Sequence, residues 1–151
     1  MTNLWLAGLV CVCCIAVGAY LRRKYRIRVD VWAELVHFLA YAEEQIRDSL
    51  RPLPAICADF AVFSPTPFGQ AIAHFPELAD LPQAGREWTD IRGMLLSLGR
   101  SDAEGQTVRI AYLRAQAEAG AAEAQAERRG KGDLYAKLCV VAGIGLMIWM
   151  V

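Results

Sequence analysis

The chain has 151 residues, 56% of them hydrophobic, and its 16 basic and 16 acidic side chains cancel. A balanced charge excludes nothing until it is divided by region. Segment 29–127 carries seven arginines against fifteen acids, and that excess disfavours nucleic acid, whose phosphates need the opposite sign.

Residues 4–21, "LWLAGLVCVCCIAVGAYL", hold no charge. As a helix they would reach roughly 27 Å, about the hydrocarbon thickness of a bilayer. A cleaved signal peptide would need basic residues ahead of the run. Here they come after it, as "RRKYRIR", so an uncleaved transmembrane helix over 1–21 is expected. "CVCC" within it invites a thiol or metal enzyme using Cys11, Cys13 and Cys14. On a helix Cys13 faces away from the other two, and neither His37 nor His74 accompanies them in the run. Small apolar packing is the simpler use.

From the basic cluster to Leu50 no proline occurs, and Val31, Leu35, Phe38, Leu39, Ala42, Ile46 and Leu50 recur at spacings of three and four, an amphipathic helix. Glu43, Glu44 and Arg47 flank its apolar face, with Arg47 four residues after Glu43 in the order that favours an ion pair. They read either as a solvated face or as a partner contact.

All six prolines lie between Pro52 and Pro82, where short helices are expected, one of them carrying His74. "GREWTDIRGMLLSL" places Trp88, Ile91, Leu95 and Leu98 on one helical face, and Gly99 suits a left-handed helix end. Ser101 and Glu104 form a capping-box pattern, with Asp102 in the first turn. The helix that follows is dense in alanine, and Ala117, Ala121 and Ala124 would let another helix approach closely.

Residues 134–151, "LYAKLCVVAGIGLMIWMV", form a second apolar run, whose Lys137 can snorkel to an interface. Cys14 with Gly18 and Cys139 with Gly143 are small-xxx-small pairs, expected to pack the two runs together. Trp5 and Trp149 would anchor one membrane interface, Tyr20 and Tyr135 the other. Basic residues follow the first run and precede the second, so the middle is expected in the cytoplasm and both termini outside.

The expected fold is all-α: two long antiparallel helices, continuous with transmembrane helices at 1–21 and 134–151, and capped by short helices within a cytoplasmic domain over 22–133. No phosphate loop, zinc-ligand spacing or serine-hydrolase elbow occurs, so no catalytic, cofactor or metal residue is expected, and no small-molecule substrate.

"FLAYAEEQIRDSLRPLPAICADF", then "LLSLGRSDAEGQ" ahead of an Ala/Glu/Gln-rich helix and an apolar run, resembles the stage III sporulation protein AB family. The resemblance covers essentially the whole chain, through Leu39, Glu44, Ile46, Pro52, Leu53, Leu98, Gly99, Asp102 and Gln106; the cysteine-rich first run and the extra proline of "RPLP" depart from it. It implies a structural subunit of the channel between mother cell and forespore in endospore formation, held in the mother-cell membrane among other channel subunits and the lipid bilayer. Its helical domain is similar to the cytoplasmic domains of inner-membrane platform proteins of type II secretion and type IV pilus systems. By that likeness it would contact a secretion-type ATPase of the same complex, similar to stage III sporulation protein AA. Glu43, Glu44, Arg47 and Asp102 are then the candidate contact residues. A platform subunit outside sporulation, and a membrane sensor or scaffold that binds no ATPase, are the competing readings.

Overall fold

A computed structural model of the chain describes residues 2–49, 51–99 and 103–150, without the side chains of residues 2–4, 7, 103, 104, 106, 147 and 150. Every regular element among them is helical: α1 (Thr2–Ser49), α2 (Leu53–Phe63), α3 (Pro67–Ile72), α4 (Arg86–Leu98), α5 (Ala103–Glu127), a π-helical turn (Arg128–Gly132) and α6 (Asp133–Met150). The chain forms two compact units. The terminal unit is Met1–Val29 with Glu123–Val151, and the middle unit is Asp30–Ala122.

The middle unit has a conventional apolar core. The sevenfold stripe expected on α1 buries Val31, Leu35, Phe38, Leu39, Ala42 and Ile46, while Leu50 lies outside the described residues. Against it pack Leu53, Ile56, Cys57 and Phe60 of α2 and Phe68, Ala71 and Ile72 of α3. Trp88, Ile91, Leu95 and Leu98 of α4 are all buried, on the face their spacing predicts. Phe38 stands edge-on to Phe60 and Phe68 at 5.3 and 6.4 Å, and Phe68 stands edge-on to Trp88 at 6.1 Å. Edge-to-face pairs of this kind add about 0.5–1.5 kcal/mol each beyond burial.

Within this unit α1 and α5 run antiparallel: Trp32 meets Gly120, and further along α1 Glu43 meets Arg114. Ile110, Leu113 and Ala117 supply the α5 side of the core. Thr66 starts α3 by accepting from the Gly69 amide at 3.1 Å, and its hydroxyl donates to Glu34 at 2.6 Å, tying α3 to α1.

Two local expectations are corrected. Gly99 is right-handed (φ −69°), not left-handed. Its lack of a side chain serves the Phe75 ring, whose Cζ would lie 2.7 Å from an added Cβ. The positive φ falls instead at Gly85 (φ 58°), which precedes α4. His74 is not helical, because α3 ends at Ile72 and the chain turns there.

In the terminal unit α1 and α6 are also antiparallel. A Cβ at Gly18 would touch Cys139 at 3.5 Å, and one at Gly143 would touch Cys14 at 3.5 Å. Among the described residues no helix is long and apolar enough to cross a membrane. The two expected spans include Leu4, Ala7, Met147, Met150 and Val151, whose side chains lie outside the described residues.

Candidate functional site

Two regions hold the residues singled out by sequence, one in each unit.

In the middle unit the four candidate contact residues part company. Glu43 is half-buried and accepts from Arg114 Nη1 at 3.2 Å; Arg114 Nε donates in turn to Glu118 at 3.1 Å. These two carboxylates hold the guanidinium pKa above its ordinary value, the hydrogen bond that Arg114 donates to Glu43 contributing most. The predicted pair of Glu43 with Arg47 does not form. Glu43 turns to α5, and Arg47 reaches its neighbour Asp48 at 3.5 Å, both well exposed. Glu44 is exposed on the next position of α1. Asp102 lies outside the described residues, as does Ser101 of the expected capping box.

Glu44 does have an unforeseen setting. It lines a shallow groove between α1 and α2 with His37, Ala40, Tyr41, Phe60, Phe63 and Ser64. Val62 and Phe63 at the end of α2 are 85% and 83% exposed, which makes this an apolar ridge beside a carboxylate. Periodicity misleads at this point. Phe63 continues the inward spacing of Ile56, Cys57 and Phe60, but it is the last residue of α2 and overruns the core.

Cys57 sits fully buried in this unit, and burial pushes its thiol up to about 12. A thiol so rarely ionised is a packing group, not a nucleophile. Among the described residues no group of three or more His, Cys, Asp or Glu side chains is arranged to hold a metal.

The terminal unit is built inside out. Its buried residues, among those described, are Gly18, Ala124, Gly132, Ala136 and Gly143, all small. Its large apolar side chains are exposed: Leu9, Val12, Ile15 and Val17 on α1, and Val141, Ile144 and Ile148 on α6, each more than half. Trp5, Tyr20, Tyr135 and Trp149 are exposed as well. Cys11 and Cys14 pack on Gly143, whereas Cys13 faces outward. A water-soluble helix pair buries its large residues; close backbone contact through small residues, with large apolar ones facing out, is the pattern of helices that associate in lipid.

The polar end of this unit is tied by Glu127, which accepts from Arg28 at 2.6 Å and from Lys131 at 3.1 Å. Its pKa is held below the usual range, first by the Lys131 hydrogen bond and then by the Arg28 charge. Gly132 of the π turn packs on the Tyr25 ring at 3.4 Å from an added Cβ.

These features define an all-helical protein whose middle unit has an apolar core and an exposed apolar ridge at the end of α2, and whose terminal unit is a tightly apposed helix pair. The protein-family comparison matches residues 3–84 and 78–151 to stage III sporulation protein AB. The chain belongs to the stage III sporulation protein AB family, which implies a role in sporulation. No curated protein and no solved structure matches the chain.

Proposed function

We propose that this chain is a non-enzymatic membrane subunit of the channel complex between mother cell and forespore, and that its middle unit holds the complex's cytoplasmic ATPase against the membrane assembly. The observation that carries this reading is the contrast between the two units. The terminal unit exposes its large apolar side chains and buries only small ones, the arrangement lipid favours. The middle unit buries most of its large apolar residues; of those it exposes, Val62 and Phe63 form a ridge beside the exposed carboxylate of Glu44, while Val108 and Tyr112 of α5 are exposed as well. An apolar anchor beside a charge is how a docking surface combines affinity with orientation.

The ATPase contact centres on Glu44 and Phe63. Arg47 stands exposed one turn further along α1, and Asp102 remains a candidate from sequence. Glu43 serves the internal pair with Arg114 and contributes by holding α1 on α5. In this reading the mother-cell membrane holds the protein with the middle unit in the cytoplasm and both termini outside, the orientation that the basic flanks of the two runs favour.

The test is co-purification of the ATPase of the same complex with the full-length protein from sporulating cells. Glu44→Lys combined with Phe63→Ser changes two exposed side chains and is expected to abolish co-purification and spore formation, with an unchanged melting temperature. Undiminished co-purification would exclude this face. A platform subunit of another secretion-like system would be made in vegetative cells, so expression confined to the mother cell separates that alternative.

A further inference from the structure

Three aromatic rings and one carboxylate meet at the groove between α1 and α2. Tyr41 and Glu44 come from one face of α1, and Phe60 and Phe63 come from one face of α2. The Phe60 ring is buried and lies 5.9 Å from the Tyr41 ring. Phe63 stands 83% exposed on the α2 side, and Glu44 is exposed on the α1 side. All four residues belong to the middle unit.

Among the described residues no cation pairs with Glu44. The next two basic residues in the chain are engaged elsewhere: Arg47 reaches Asp48 at 3.5 Å, and Arg51 reaches Asp59 at 2.6 Å. His37 lines the groove further back on α1, with Ala40 and Ser64 as its small lining residues. At about 370 Å³ the groove is at the small end of ligand pockets and has room for one long side chain.

Chemistry selects the occupant. An anion would be repelled by Glu44. A purely apolar side chain would cover the rings but strip water from the carboxylate without replacing its hydrogen bonds. An ammonium is a compact, strongly hydrated charge that matches the carboxylate better than the rings. A guanidinium is planar and weakly hydrated, so it stacks on an aromatic face while its fork of donors meets a carboxylate.

We infer that this groove binds an arginine side chain of the docked partner, its guanidinium stacked on Phe63 and forked onto Glu44, its stem along Tyr41 and Phe60. The inference rests on the docking role proposed for the same face, and it names what the partner must present there.

The test uses the full-length protein in nanodiscs, with isotope-labelled phenylalanine and tyrosine rings read by nuclear magnetic resonance. Three short blocked peptides serve as probes, identical except for a central arginine, lysine or citrulline; citrulline keeps the shape of arginine and loses its charge. The arginine peptide is expected to shift the Phe63 and Tyr41 resonances and to bind about tenfold tighter than the citrulline peptide. It should bind about threefold tighter than the lysine peptide. Glu44→Gln should erase the preference over citrulline. Phe63→Leu, which keeps apolar bulk and loses the ring face, should erase the preference over lysine. Tyr112→Leu removes an exposed aromatic of α5 outside the groove and should keep both preferences. Equal affinity for the three peptides, no binding at millimolar concentration, or preferences that survive in Glu44→Gln would overturn the arginine site. Free arginine binding as tightly as the peptide overturns the protein partner in favour of an amino-acid site. Co-purification of the ATPase separates the two levels. Its loss from Glu44→Lys with Phe63→Ser, without any arginine preference in the parent, overturns the arginine site alone. An arginine preference with undiminished co-purification supports the site and excludes the ATPase as the source of the arginine.

Discussion

The indole of Trp32 occupies the space that a side chain at Gly120 would need: an added Cβ would lie 2.9 Å from Cζ3 and 3.0 Å from Cε3 and Cη2. The ring has little freedom to yield, because its Nε1 donates to Glu87 Oε2 at 2.9 Å and the residue is buried. This contact brings α5 down onto α1.

It follows that Gly120→Ala should destabilise the protein although alanine favours helix. The helix gain is about 1 kcal/mol, against an overpacking cost of about 1–3 kcal/mol. A net loss of about 1 kcal/mol is expected in chemical denaturation of the full chain. Gly93→Ala is the control, since Gly93 sits inside α4 with nothing within 4 Å of an added Cβ. That change should stabilise by up to about 1 kcal/mol. Stabilisation by both substitutions would mean that the Trp32 ring moves aside at little cost.

Cys57 gives a chemical prediction. Its thiol is pushed from 9.0 up to about 12 by burial alone, which lowers the thiolate fraction at neutral pH about a thousandfold. In a variant with Cys11, Cys13, Cys14 and Cys139 changed to Ser, native Cys57 should resist maleimide for hours and react within minutes in denaturant. Cys57→Ser should cost about 1–3 kcal/mol, because the more polar hydroxyl replaces a small hydrophobe in an apolar core. Rapid labelling of the folded chain would show that α2 opens locally.

The carboxylate of Glu127 carries a pH dependence. Its native pKa lies below the ordinary 4.5, held there first by Lys131 and then by Arg28. The stabilisation is therefore complete above the ordinary value and is lost as pH falls through the lowered native one. Between pH 6 and pH 3 the melting temperature of the parent should fall more than that of Glu127→Gln, which has no carboxylate to protonate there. Parallel curves would mean that the pairs with Arg28 and Lys131 contribute nothing in solution.

Helix positions and most of the core were legible because periodicity reports burial directly: the α1 stripe and the Trp88, Ile91, Leu95, Leu98 face are both buried as their spacing requires. What escaped depended on which distant segment arrives. Glu43 has a basic residue four positions on, yet Arg114, 71 residues away, takes it because α5 packs alongside. Gly99 was read as a helix end from local grammar, whereas its neighbour Phe75 decides why no side chain fits. Arg23 and Lys137 were visible as basic flanks of the two apolar runs, but only the antiparallel pairing of α1 with α6 brings both to line one cleft of the terminal unit.

Topology is the prediction on which the ATPase contact depends, and the cysteines allow a direct measurement. Ser49 is exposed at the end of α1 in the middle unit. In a variant lacking the five native cysteines, Ser49→Cys should stay unlabelled when intact spheroplasts meet a membrane-impermeant maleimide, and should label fully after lysis. The expectation follows from Arg22, Arg23 and Lys24 after one apolar run and Arg128, Arg129 and Lys131 before the other, since short basic flanks stay on the cytoplasmic side. Labelling before lysis would put the middle unit outside, where no ATP-driven partner can reach Glu44 and Phe63. The ridge would then face an extracytoplasmic subunit of the complex.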